Sequence, residues 1–139
     1  MILLDTNVIS ELRPGKREPS AQVRAWADQQ PVDTLYLSAL TVLELRLGME
    51  RKARVDAEQG RRLRLWIEGV EAEFEDRILP FRARTARHCA PLQVPDPRNL
   101  ADSMIAATAL EHGLVLATRN VRDFDGFGLR LVNPWLDAM

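Results

Sequence analysis

Short apolar runs recur along the chain, ILL at 2–4, LYLSAL at 35–40, ILPF at 78–81, LVLAT at 114–118 and LRLV at 129–132, separated by stretches with helical spacing. Most of these runs are too brief for helices. Being apolar throughout rather than alternating, they suit strands covered on both faces. Strands alternating with helices in this way predict an α/β fold around a mostly parallel sheet. The punctuation supports that division. Arg13-Pro14-Gly15 breaks the segment after the first strand, and Pro19-Ser20 opens a stretch in which Val23, Trp26 and Ala27 share a face. Ser38 is placed to cap a helix containing TVLELRLGMERK. Residues 56–75 read as a long charged helix, basic at Arg61, Arg62 and Arg64 and acidic at Glu71, Glu73 and Glu75. That order opposes the helix dipole and marks a solvated face. A helix over 83–93 precedes the loop Pro95-Asp96-Pro97, and Asn99 then caps a last helix that Gly113 ends.

At 139 residues the chain fits one domain over 1–139, and with 46% hydrophobic residues it has the balance of a folded rather than a disordered protein. Its single cysteine, Cys89, has no partner for an internal disulfide, which fits a cytoplasmic location. No stretch reaches the roughly 18 to 20 apolar residues a membrane span needs. Of the nineteen basic residues seventeen are Arg, the residue that grips phosphate and carboxylate with a flat fork, although a GC-rich genome gives the same bias.

Function is carried by acids. In open parallel sheets ligands bind beyond the carboxyl ends of the strands, where Asp5 lies, together with Thr118, Arg119, Asn120 and Asp123. Glu44 sits in a helix with apolar neighbours on most sides and is expected to point into protein. Asp102 shares its face with Ile105, Ala106 and Ala109, small enough to bring the helix close to the sheet. Each acid also has a plain structural reading. Asp5 suits a turn, Thr41 to Glu44 matches a capping box, and Asp102 stands three residues after Asn99. If the three converge, two charges ~5 Å apart at an effective dielectric of ~20 repel by roughly 3 kcal/mol, and three by on the order of 10 kcal/mol. Shared protons or a divalent cation must then answer the repulsion. Oxygen donors favour Mg2+ or Mn2+ over zinc.

MILLDTNVISEL, YLSALTVLELRLG, LADSMIAATALEHGLVLATRNVRDF and VNPW occur in that order over nearly the full length. With them the chain resembles the PIN-domain ribonucleases, the VapC and FitB type toxins of toxin–antitoxin modules. The resemblance implies a three-layer α/β/α sandwich with a short central sheet and a metal-dependent endoribonuclease. Asp5, Glu44 and Asp102 match the first three acids of such a site, with Asn120 and Asp123 as rival occupants of the fourth. It further implies that Mg2+ is held by these acids, with Glu44 orienting or deprotonating the attacking water. Thr6 and Asn7 would support the carboxylates, and Arg119 and Arg122, with Arg46, Arg51, Lys52 and Arg54, would meet the RNA. Partners implied are an inhibitory antitoxin, a second copy of the chain, and operator DNA reached through the antitoxin. Two rival readings remain: an aspartyl-phosphate phosphohydrolase, whose second acid would fall at Asn7, and a non-catalytic partner-binding domain with the acids as caps.

Overall fold

Five two- to four-residue strands form the centre of the computed structural model, which describes residues 1–136; the last three positions of the 1–139 domain reading lie outside it. The elements are β1 (Ile2–Leu4), α1 (Thr6–Glu11), α2 (Ala21–Asp28), β2 (Leu35–Ser38), α3 (Ala39–Val55), α4 (Ala57–Glu73), β3 (Ile78–Leu79), α5 (Ala83–Cys89), α6 (Leu100–His112), β4 (Val115–Ala117) and β5 (Leu131–Val132). The strand order is β3-β2-β1-β4-β5 and every pairing is parallel. Alternate strand residues feed two separate cores, as a period of two requires. Ile2, Leu4, Leu35, Leu37, Ala117 and Val132 pack with α1 to α4. Leu3 and Leu116 pack with α6 and with Phe124 and Phe127 on the other face. The result is the three-layer sandwich, with helices on both sides of the sheet.

Several predicted boundaries move. The last apolar run, LRLV, pairs only over Leu131 and Val132, and the helix expected over 83–93 ends at Cys89 and tightens into a 3-10 turn over Ala90–Gln93. Residues 56–75 do form a helix, α4, but Asp56 turns the chain back at its start. Its extended backbone ends α3, and its carboxylate accepts the Gln59 N–H to cap α4. The two helices therefore form an antiparallel hairpin rather than one rod. Glu71 does not belong to a solvated face, because Arg46 of α3 reaches it across the hairpin at 2.7 Å. Arg46 is thereby withdrawn from the cations expected to meet RNA.

The hairpin closes around Gly60, where a Cβ would stand 2.5 Å from the Ala53 Cβ and 2.6 Å from its Cα. Gly60→Ala is expected to destabilise the protein by about 2 kcal/mol, since overpacking against backbone outweighs the ~1 kcal/mol of helix propensity gained. Gly69 of the same helix has nothing within 4 Å of such a Cβ, so Gly69→Ala is expected to stabilise. Urea titrations of the two variants test this, and shifts of the same sign would refute the close approach as the cause.

Candidate active site

Strand β1 ends by handing Asp5 to the carboxyl edge of the sheet, where its N–H donates to the Ala117 carbonyl of β4 at 2.9 Å. Asp5 caps α1, with Oδ1 accepting the Thr6 N–H at 2.8 Å. Its Oδ2 accepts the Thr118 hydroxyl at 2.7 Å and the Asn7 amide at 3.3 Å. The cap reading of Asp5 is thus correct as far as Oδ1 goes, while Oδ2 is turned toward the edge of β4. Thr118 follows β4 directly and is fully buried, its hydroxyl also accepting the Asn120 N–H at 3.0 Å. A hydroxyl after a strand looks in sequence like an ordinary turn residue, so its hold on Asp5 was not foreseen.

Glu44 reaches the same edge from α3, for a reason other than the one expected. Its helix is not apolar and buried all round, because Leu43 and Leu47 are 57% and 42% exposed and only Thr41, Leu45 and Met49 form the inward stripe. Glu44 is half-buried beside that stripe, with Oε1 accepting the Thr6 hydroxyl at 2.5 Å; that hydroxyl also lies 3.0 Å from the Thr41 hydroxyl. The capping box from Thr41 to Glu44 does not form. Ser38 is the cap, accepting the Thr41 N–H at 3.1 Å.

Asp102 stands at the third position of α6, and Asn99 caps that helix by accepting the Asp102 N–H at 2.9 Å. The small-residue face behind it is buried as anticipated, with Ile105, Ala106 and Ala109 packed under the sheet. Asp123 arrives on the turn Val121–Phe124 after β4, and its N–H donates to the Asn120 carbonyl at 2.9 Å. Both side chains at the rival fourth position are exposed. Only Asp123 brings a charge that bears on its neighbours. Arg98 holds this turn in place, its guanidinium donating to the Asp123 and Asp125 carbonyls at 2.8 and 3.1 Å while lying 4.3 Å over the Phe127 ring. Nothing in the sequence before Asn99 marks Arg98 for that task.

Asp5, Glu44, Asp102 and Asp123 feel one another's charges across this edge. Burial pushes the Asp5 carboxyl above its ordinary range, against the pull of the Thr118 and Thr6 hydrogen bonds, and the charges of Glu44 and Asp123 add to the rise. Asp102 is pushed up to about 6 by burial first and then by Asp5, Asp123 and Glu44, with Arg98 opposing. Among the described residues none of these four carboxylates enters an ion pair. Glu11 makes the contrast. It is as buried as Asp5, but the Ser20 N–H at 2.7 Å and Lys16 at 3.2 Å satisfy it and overcome the burial, holding its carboxyl below the usual range. The four acids at the sheet edge offer oxygen ligands, and among the described residues Arg98 is the cation whose charge reaches Asp102, without an ion pair. Among the described residues no three acids, histidines or cysteines close on one point.

A consequence for stability follows. The raised acids keep protons in the folded chain that the unfolded chain has released, so the stabilisation is complete below about pH 4 and is lost as pH rises through about 6. Without metal, the Asp102 share of this loss between pH 5 and 7.5 is expected to be about 1 kcal/mol after discounting for partial exposure. Urea unfolding in EDTA, with Asp102→Asn as reference, measures it; Mg2+ should offset the loss. A wild-type stability that does not fall relative to that of Asp102→Asn between pH 5 and 7.5 would refute the clustering.

The expected substrate contacts are placed less centrally. Arg119 is exposed, lies 5.0 Å over the Trp135 ring and donates its backbone N–H to the Asn7 side-chain Oδ1 at 3.3 Å; Arg122 is exposed on the Asp123 turn.

Comparison with known proteins accounts for this arrangement. Residues 2–127 match the PIN domain family model. The chain is 43% identical to VapC ribonuclease Y4jK of Sinorhizobium fredii, over 99% of this chain and 100% of that protein. It superposes on FitAcB from Neisseria gonorrhoeae with a TM-score of 0.84 at 39% identity, covering 98% of this chain and 99% of that one. A structure of FitAB bound to an IR36 DNA fragment superposes with a TM-score of 0.81 at 36% identity, covering 100% and 99%. With the family model spanning residues 2–127 and these relatives covered almost end to end, the chain belongs to the PIN domain family.

Proposed function

We propose that the protein is a divalent-metal-dependent endoribonuclease and the toxin of a toxin–antitoxin pair. The observation that carries this reading is the set Asp5, Glu44, Asp102 and Asp123, brought to one sheet edge with raised carboxyl groups at Asp5 and Asp102 and, among the described residues, no ion pair. Asp5, Asp102 and Glu44 supply the oxygen ligands for Mg2+, with Mn2+ as a substitute. The ion, when bound, polarises the phosphodiester and makes water at the site more acidic.

The chain's own residues do the rest. Thr118 and Asn7 fix the Asp5 carboxylate by Oδ2, and the Thr6 hydroxyl fixes Glu44 by Oε1, so that Oε2 is left to orient the attacking water and accept its proton. Asp123 adds the fourth negative charge, held by the Arg98 clamp on its turn. Arg119 and Arg122 flank the edge as phosphate contacts, which position RNA without reading its sequence. The aspartyl-phosphate alternative asks for an acid at position 7, where the Asn7 amide donates to Asp5 instead.

Similar solved structures, a toxin–antitoxin complex and a DNA-bound FitAB among them, support an antitoxin partner and a complex that binds operator DNA through it, and the family resemblance adds a second copy of this chain. Among the described residues no helix is long and apolar enough to cross a membrane, and RNA as substrate with an unpaired, buried Cys89 fits the cytoplasm. The test is a cleavage map of total RNA made with the purified, antitoxin-free chain. Discrete cuts with Mg2+ and none with EDTA are expected; cuts that persist in EDTA, or RNA left whole in Mg2+, would overturn the assignment.

A further inference from the structure

The geometry points to a single-stranded RNA subsite in the groove that runs from Glu44 between the Arg13–Lys16 turn and α4, a reading that rests on the nuclease assignment above. A cavity of about 280 Å³ opens beside Glu44 and Thr6, and a second of about 160 Å³ adjoins it, sharing Arg13 and Trp66. Together they reach the size of a small-ligand pocket, room for about one nucleotide with its flanking phosphates outside. Arg13, Lys16 and Lys52 line the first, and Arg62 lines the second.

Arg62 spends its charge on Glu58 at 3.4 Å. Lys16 shares Glu11 at 3.2 Å, whereas Arg13 and Lys52 enter no ion pair among the described residues. Arg46, one helical neighbour away on α3, is by contrast neutralised by Glu71. Trp66 is half-buried and exposes an aromatic surface to both cavities. Free cations beside an aromatic platform are the combination that holds single strands, cations on phosphates and the ring on a base. Because Glu44 forms one wall, a strand seated here delivers its next phosphate to the acids. The groove therefore holds the nucleotide on one side of the cut, with Arg13 and Lys52 on phosphates and Trp66 against a base.

Fluorescence anisotropy of labelled dodecauridylate, titrated with the full antitoxin-free chain in EDTA so that no cleavage intervenes, tests this. Arg13→Ala and Lys52→Ala are each expected to weaken binding about five- to tenfold and to reduce the salt slope by about 0.7, the share of one phosphate contact on a single strand. Arg87→Ala, on α5, is expected to change neither. Added oligonucleotide is expected to quench tryptophan fluorescence, and Trp66→Phe to remove most of that quenching. The proposal is overturned if the Arg13, Lys52 double variant keeps wild-type affinity and slope. It also falls if that variant keeps oligonucleotide binding and instead releases co-purified antitoxin, which makes the groove a protein-docking surface. Wild-type cleavage in Mg2+ is scored separately, so a failed groove leaves the nuclease assignment standing.

Discussion

Asp5→Asn is expected to lower RNA cleavage by at least about a thousandfold, roughly 4 kcal/mol of transition-state stabilisation, while the melting temperature of the metal-free protein stays equal or rises. The loss follows from removing the one buried carboxylate among the four edge acids, on which Thr6, Asn7 and Thr118 all converge. The retained stability follows from the same contacts. Asparagine caps helices as well as aspartate, so the Thr6 N–H keeps its acceptor. The Thr118 hydroxyl, now facing an amide, can accept where it donated before. A buried charge repelled by Glu44 and Asp123 disappears, so folding loses a cost rather than a contact. Cleavage assays and thermal melts in EDTA decide the matter. Cleavage at the wild-type rate would exclude Asp5 from the site, and a melting temperature lowered by several degrees would make it a structural residue.

A second large effect separates the two occupants considered for the fourth position. Asp123→Asn is expected to reduce cleavage about a hundredfold and Asn120→Ala less than threefold. The Asp123 charge bears on both Asp5 and Asp102, whereas Asn120 serves the edge through its backbone, with its N–H on Thr118 and its carbonyl under the Asp123 N–H. Truncating the Asn120 side chain leaves both backbone bonds in place. Asp123→Asn keeps the turn, because Arg98 holds it by carbonyls rather than by the carboxylate. Isothermal titration with Mn2+ gives a readout apart from turnover, with weakened binding expected only for Asp123→Asn. If Asn120→Ala proves the more damaging, the assignment reverses.

Much of this was legible because strands buried on both faces leave unmixed apolar runs, and because helix ends carry their own chemistry. Ser38, Asn99 and Gly113 mark their helix ends in the sequence and occupy them in the structure, Gly113 with the left-handed φ of +65° that a glycine permits. Asp102 was readable for the same reason, since the small residues behind it announce the buried face. What failed to show depends on contacts distant in sequence. The turn at Asp56 is written in one carboxylate and in the Gly60 approach to Ala53, neither of which disturbs the helical period. Glu44 was assigned the right edge by the wrong cause: its apolar neighbours Leu43 and Leu47 face outward, and a hydroxyl from α1 holds it. Thr118 and Arg98 act on residues 113 and 25 positions away, a separation no local pattern records.

The position of β1 has a further consequence, for the timing of activity. It leads the chain yet occupies the centre of the sheet, and the bond from Thr118 to Asp5 spans 113 residues. At about 5 to 20 residues per second, synthesis needs roughly 6 to 23 seconds to supply that partner. Until then the growing chain holds Asp5 without the hydroxyl that aims it, and Asp123 is still to come. The edge is thus completed only as residues 118–123 are made, so a ribosome making this protein carries no working nuclease before that stretch.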